Sequence, residues 1–288
     1  MNTGIFVDAE ELLAYKEAEA EEDFPVSLSL WVGNGYSGVK GSGNDLYGIR
    51  EYQPGDYLKR INRQATARTG KIHLNEFLEE RMLSAYIVLD QSPALFFTST
   101  GEMKSVLAAR TACKILFQYQ RQGHRIGGEV FNHLNYSDFA ATTSLAICEE
   151  WVNAVARFNQ TLLSVRLITH RNMLAEALTR CVNRNLSGRE IYVLTDFMLC
   201  DIEKCIGLLT TLGKGNRIYL IQLTDTLEDN PPIRVWLSGA QGDFLLRDES
   251  DCESYCRYRH EKKQRWVDFA RQRGFSYTEL FTRPIKRT

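Results

Sequence analysis

Two aspartates and a serine stand in this sequence where an α/β protein would hold a ligand. Asp90 and Ser92 close the run Ser84-Ala85-Tyr86-Ile87-Val88-Leu89-Asp90-Gln91-Ser92-Pro93-Ala94. Asp196 closes Glu190-Ile191-Tyr192-Val193-Leu194-Thr195-Asp196, and Asp225 closes Arg217-Ile218-Tyr219-Leu220-Ile221-Gln222-Leu223-Thr224-Asp225. A short continuous apolar run is the pattern of a strand buried on both faces of a parallel sheet. Each run turns polar at its carboxyl end, the edge where open α/β sheets hold ligands. Two carboxylates and a hydroxyl are hard oxygen ligands, suited to Mg2+ or another hard divalent ion. The same residue types after a strand also cap the turns and helices that follow. Spacing alone leaves both roles open.

The elements that must position these side chains alternate along the chain. Val106, Ala109, Cys113, Leu116 and Phe117 recur at helical spacing over 102–121, with Gly123 as a stop signal. Further helices are expected over 143–158, 172–184 and 201–212. Arg125–Phe131 reads as a strand, 233–240 with 242–246 as a hairpin, 251–272 as a charged helix and 275–281 as a last strand. Alternation of this kind predicts an α/β fold, a doubly wound and mostly parallel sheet. In such a sheet the Ser84 strand is central. The chain runs out to one edge, returns, and lays the Ile191 strand on the first strand's other side. Asp90 and Asp196 then become neighbours in one crevice.

Bulk properties narrow the classes. A chain of 288 residues can bury a proper core, and 44% hydrophobic with 25% charged residues is the balance of a globular protein. A net charge of −1 argues against a chain-wide polyanionic or polycationic partner. No apolar run reaches membrane length, and the first residues show no secretory pattern. The seven cysteines are odd in number and scattered, as buried thiols of a reducing compartment would be, so a cytoplasmic location is expected. Cys252 and Cys256 stand one helical turn apart, with only His260 nearby as a further zinc ligand.

Three segments are expected: an acidic leader helix over 1–24, a β-rich Gly/Arg segment over 25–82, and the α/β domain over 83–288. Residues 8–23 set eight acids against Lys16, which reads as a surface helix packing by Leu12, Leu13 and Tyr15. Residues 24–32 alternate as a half-buried strand does. Gly33-Asn34-Gly35-Tyr36-Ser37-Gly38 matches the dinucleotide fingerprint, but no helical pattern follows it to present N–H groups to a pyrophosphate. A turned loop is expected there instead. Residues 50–73 hold six Lys or Arg against two acids, interleaved with Tyr52 and Tyr57. That pattern suits phosphate or nucleic acid. It equally suits arginines bracing the neighbouring Glu51, Asp56, Glu76, Glu79 and Glu80, since Arg pairs bidentately.

Arg50-Glu51-Tyr52-Gln53-Pro54-Gly55-Asp56, Thr66-Ala67-Arg68-Thr69-Gly70-Lys71 and Glu79-Glu80-Arg81 resemble the signature of the bacterial domain-of-unknown-function 58 family. Asp90-x-Ser92-x-Ala94 resembles the D-x-S-x-S opening of the metal-ion-dependent adhesion site of von Willebrand factor A (vWA) domains. The resemblance implies a vWA-like domain without catalytic activity. It also implies an adaptor working beside a MoxR-type AAA+ ATPase in assembly, cofactor insertion or stress responses. The implied metal set is Asp90, Ser92, Asn172 and Asp196. It is degenerate, because Ala94 offers no hydroxyl and Asn172 stands where a threonine is expected; Mg2+ there would keep several waters. The implied interaction residues are Arg50, Tyr52, Pro54, Gly55, Asp56, Arg60, Thr66, Arg68 and Arg81.

Two other classes compete. A Mg2+-dependent phosphoester hydrolase or nuclease would use the paired carboxylates for metal and the 50–71 arginines for phosphate. It lacks a third carboxylate in register, and His73, His124, His133, His170 and His260 form no metal motif. A nucleic-acid binder would use 50–71 and the stretch from Arg257 to Arg287, where ten Lys or Arg face three acids. The expected function is therefore a non-enzymatic interaction module with a protein partner, rather than nucleic acid or a membrane.

Overall fold

The computed structural model describes residues 4–17, 36–53, 56, 58–80, 82–99, 101–162, 173–239 and 242–284, with backbone alone at 36–47, 60, 76–80, 238–239 and 242–243. The strand expected over 24–32, and Pro54, Gly55, Arg81 and Asn172, lie outside the described residues. The chain divides into two compact units, 1–23 with 84–288, and 24–83.

The larger unit opens on a short helix, α1 (Ala9–Leu13), whose cap Asp8 accepts the Glu11 N–H at 2.8 Å. This segment is more than a solvated acidic face. Val7 and Leu12 are fully buried, and the Val7 N–H donates to Asn159 Oδ1 at 2.9 Å. Glu11 accepts from Arg110 Nε at 2.7 Å.

In the smaller unit, β1 (Tyr36–Glu51) pairs antiparallel with β2 (His73–Glu80), and the register shifts at three places along β1. The glycine-rich stretch from Tyr36 onward is thus a strand rather than the expected loop. Glycine tolerates the local kinks that bulges impose. Between the strands lies α2 (Arg63–Thr69), which the sequence reading did not place. Asn62 caps it by accepting the Ala65 N–H at 2.9 Å, and Gly70 ends it at φ +71°.

The larger unit is built on a six-stranded sheet formed by β3 (Ser84–Asp90), β4 (Arg125–Phe131), β5 (Tyr136–Thr142), β6 (Glu190–Thr195), β7 (Arg217–Thr224) and β10 (Ser276–Phe281). Their order is β10-β7-β6-β3-β4-β5, so the first strand is central and β6 lies on its other side, as expected. All pairs are parallel except β4 with β5. Strand β5 was not foreseen; only one face of it is partly covered, which is typical of an antiparallel edge.

Helices α3 (Lys104–Arg121) and α4 (Leu145–Thr161) cover one face. Helices α5 (Met173–Asn183), α6 (Ile202–Gly213) and α8 (Glu249–Arg273) cover the other, around Tyr86, Val88, Ile191, Val193, Ile218, Leu220 and Trp266. A short turn of helix, α7 (Thr226–Asp229), and the hairpin of β8 (Val235–Gly239) with β9 (Gly242–Leu246) stand between β7 and α8. Among the described residues no helix is long and apolar enough to cross a membrane.

A buried ion cluster ties α5 to the sheet. Glu129 on β4 has no exposed surface and accepts from Arg180 Nη2 and Arg184 Nη1, each at 3.0 Å. Arg184 also donates to the Tyr86 hydroxyl. Urea unfolding of Glu129→Ala is expected to show a loss of roughly 2–3 kcal/mol, less than a fully buried pair loses because both guanidiniums reach water.

Candidate functional site

Strands β3 and β6 run parallel with Leu89 opposite Leu194, so Asp90 and Asp196 emerge on the same carboxyl edge of adjacent strands. Asp90 is buried. Its Oδ1 accepts the Ser92 N–H at 2.7 Å, and its Oδ2 accepts the Thr195 hydroxyl at 2.7 Å. Burial pushes this carboxyl up to about 6; the Thr195 and Ser92 bonds pull against that, and the charge of Asp196 adds to it. Asp196 accepts the Met198 N–H on Oδ1 at 3.0 Å. Between them in sequence, Phe197 takes φ +58° and turns its ring onto Trp266, centroids 4.8 Å apart.

A cation that no local sequence pattern marks also stands at this edge. Lys104, the first residue of α3, is 1% exposed. Its ammonium lies 3.4 Å from Asp196 Oδ2 and 2.8 Å from Glu228 Oε1. Glu228 also meets Arg259 Nη2 at 3.4 Å. Burial works against a charged lysine, yet Asp196 and Glu228 hold its pKa above the ordinary value, so it remains an ammonium ion. No local pattern announces the cluster, because its partners lie 92 and 124 residues away.

Asp225, at the end of β7, is fully buried and caps α7. It accepts from the Ser99 N–H at 2.8 Å, the Ser99 hydroxyl, the Thr282 hydroxyl at 2.6 Å and the Leu227 N–H at 2.9 Å. Those bonds outweigh burial and hold its carboxyl below the usual range. Beside this edge a polar cavity of about 230 Å³ is lined by Met198, Gln222, Glu228, Asp229, Arg259 and Lys263, among others. Arg259 is buried there, and among the described residues its Nε has no hydrogen-bond partner. Trp236 on β8 and Tyr258 on α8 are 67% and 57% exposed.

These side chains do not fit a resident divalent ion. All four carboxylate oxygens of Asp90 and Asp196 already face protein donors, one of them the Lys104 ammonium. A metal bound to Asp196 would stand one carboxylate away from that buried positive charge. Ala94 supplies no oxygen, and among the described residues no group of three or more His, Cys, Asp or Glu could hold a metal. Asp90 closes a tight turn after β3 by accepting the Ser92 N–H, and the Ser92 side chain makes no cap bond to the helical turn that follows it among the described residues.

In the smaller unit the signature residues form a turn clip. Arg50 grips Asp56 bidentately, at 2.7 and 2.6 Å, while Asp56 accepts the Gln53 N–H at 2.8 Å. The Arg50 bond first, and then the Gln53 N–H, hold the Asp56 carboxyl down to about 2. Lys71 pairs with Glu51 at 3.0 Å. The Thr66 hydroxyl accepts the His73 N–H at 3.0 Å, and the Tyr52 N–H donates to Ile72 O at 2.9 Å. Arg68 is exposed on α2, and Arg60 is described by its backbone alone. The ion pairs described in this block, Arg50 with Asp56 and Lys71 with Glu51, both lie within the smaller unit.

A mixed α/β unit with a mostly parallel sheet, preceded by a small β-containing unit, is the class these features define. The family model described as "Protein of unknown function DUF58" matches residues 48–265, well over half of the chain, and the chain belongs to that family. The uncharacterized protein Rv1480 of Mycobacterium tuberculosis and its counterpart Mb1516 of Mycobacterium bovis are each 29% identical over 128 residues. The match covers 44% of this chain and 40% of those proteins, less than half the length of the curated relatives. Similar solved structures include the conserved hypothetical protein BatB of Bacteroides thetaiotaomicron, with 13% identity and a TM-score of 0.45. An aerotolerance-related membrane protein of Bacteroides fragilis has 13% identity and a TM-score of 0.40. Each comparison covers 69% of this chain and 91% of the other.

Proposed function

We propose that this chain is a non-enzymatic, vWA-like interaction module that presents the carboxyl edge of its sheet to a protein partner, an AAA+ ATPase of the MoxR type. The observation that supports the reading is a polar cavity beside the carboxyl edge of the sheet whose lining includes the buried guanidinium of Arg259. Among the described residues Arg259 Nε has no hydrogen-bond partner, and Tyr258, its neighbour on α8, is exposed. Interfaces of this kind draw most of their energy from a few aromatic and Arg anchors. The neighbouring carboxylates are already satisfied by Lys104, Thr195 and backbone N–H groups, so they act as a fixed rim rather than as general acids or bases. The family resemblance supplies the partner class.

The test is direct binding of the full chain to the purified MoxR-type ATPase of the same organism. Wild type is expected to bind, and Tyr258→Ser to weaken binding roughly 30-fold or more while the circular dichroism stays unchanged. No binding by the wild type would sink the proposal. So would Mg2+-dependent turnover of phosphoesters, or tight nucleic-acid binding with a steep salt dependence.

A further inference from the structure

The helix-terminal position of Lys104 is electrostatically unfavourable. The first turn of an α-helix presents unpaired N–H groups and a partial positive charge, so cations are disfavoured there. Lys104 is the first residue of an 18-residue helix and is almost wholly removed from water. Both terms oppose a protonated lysine. It is tolerated because two carboxylates from distant parts of the chain converge on it, Asp196 just after β6 and Glu228 on α7. The Phe97 ring also lies 6.0 Å from the ammonium. A lysine that only stabilised the helix would gain more by turning into solvent.

In chemical terms, the residue set around Asp90, Ser92 and Asp196 resembles a divalent-ion shell, and its oxygens do not suit one. We propose that Lys104 supplies, as a covalently attached side chain, the positive charge that a metal ion would bring to this crevice, so that the carboxyl edge is assembled without metal. Asp196 and Glu228 would then serve as counter-ions to a built-in cation. The proposal concerns the crevice alone and holds whether or not an ATPase docks beside it.

The experiment is thermal unfolding of the full chain in excess Mg2+, in Mn2+ and in EDTA, with metal analysis of the purified protein. Wild type is expected to carry no stoichiometric metal and to melt at the same temperature in all three conditions. Lys104→Met removes the charge while keeping most of the side chain's length. It is expected to melt lower in EDTA and to recover part of the loss in Mg2+ or Mn2+, which enter the vacated charge position. A wild type that retains metal, or whose melting temperature rises saturably with Mg2+, overturns the proposal. A Lys104→Met variant as stable and as metal-indifferent as wild type also overturns it. Should Lys104→Met alone fail to fold, the double variant Lys104→Met with Asp196→Asn, which removes the charge and one counter-charge together, is expected to restore folding. Failure of that rescue counts against charge replacement.

Discussion

Trp266→Ala is expected to lower the stability of the larger unit by about 3–5 kcal/mol. Helix α8 is long and strongly charged, and the residues it buries are few: Arg259, Trp266, Phe269 and Ala270. Trp266 is fully buried and packs on Phe197 at 4.8 Å and edge-on to Phe269 at 6.1 Å. It therefore carries much of the attachment of a 25-residue helix to the sheet. Among the described residues its buried indole Nε1 has no partner, so Trp266→Phe gives up ring area but also removes that unpaired donor. The phenylalanine variant should lose clearly less than the alanine variant in urea unfolding. Equal losses would show that the indole nitrogen is satisfied after all.

Asp225→Ala is expected to cost a similar amount, about 3–5 kcal/mol, because several donors lose one acceptor together and buried donors left unpaired cost roughly 1–3 kcal/mol each. Ser99, Thr282 and Leu227 come from three different segments, so the carboxylate acts as a knot rather than a simple cap. Its folded pKa lies below the unfolded value of about 3.9. Stability from this group is thus fully present above that unfolded value and is lost as pH falls through the folded one. Asp225→Asn should be less stable than wild type at neutral pH. The gap should narrow as both are acidified below about pH 4. A gap independent of pH would assign the effect to shape rather than charge.

The order of the sheet was legible because buried parallel strands are written as unbroken apolar runs. Ser84–Asp90, Glu190–Thr195 and Arg217–Thr224 all fall where those runs predict. Strand β5 escaped notice because it is half exposed and its Tyr-Ser-Asp-Phe-Ala alternation is short. The asparagine turn before it, with Asn132 Oδ1 accepting the Leu134 N–H at 2.8 Å, was the available signal. The glycine-rich stretch was misread because glycine marks loops and bulged strands alike. At the edge itself, Asp90 and Asp196 could be found from their positions after strands. Lys104 could not, since an amphipathic helix often begins with a lysine and only the folded chain brings Asp196 and Glu228 to it.

The last strand has a practical bearing on how pieces of this protein behave. The family match ends at residue 265, one position short of Trp266. A fragment trimmed to those limits would sever α8 before its main anchor and discard β10, leaving the flank of β7 bare as a template for aggregation. It would also drop Thr282, which donates its N–H to Thr224 O at 3.0 Å and its hydroxyl to Asp225, and the Val7 clasp at the other end. Expression boundaries for this protein belong outside the span by which its relatives are recognised.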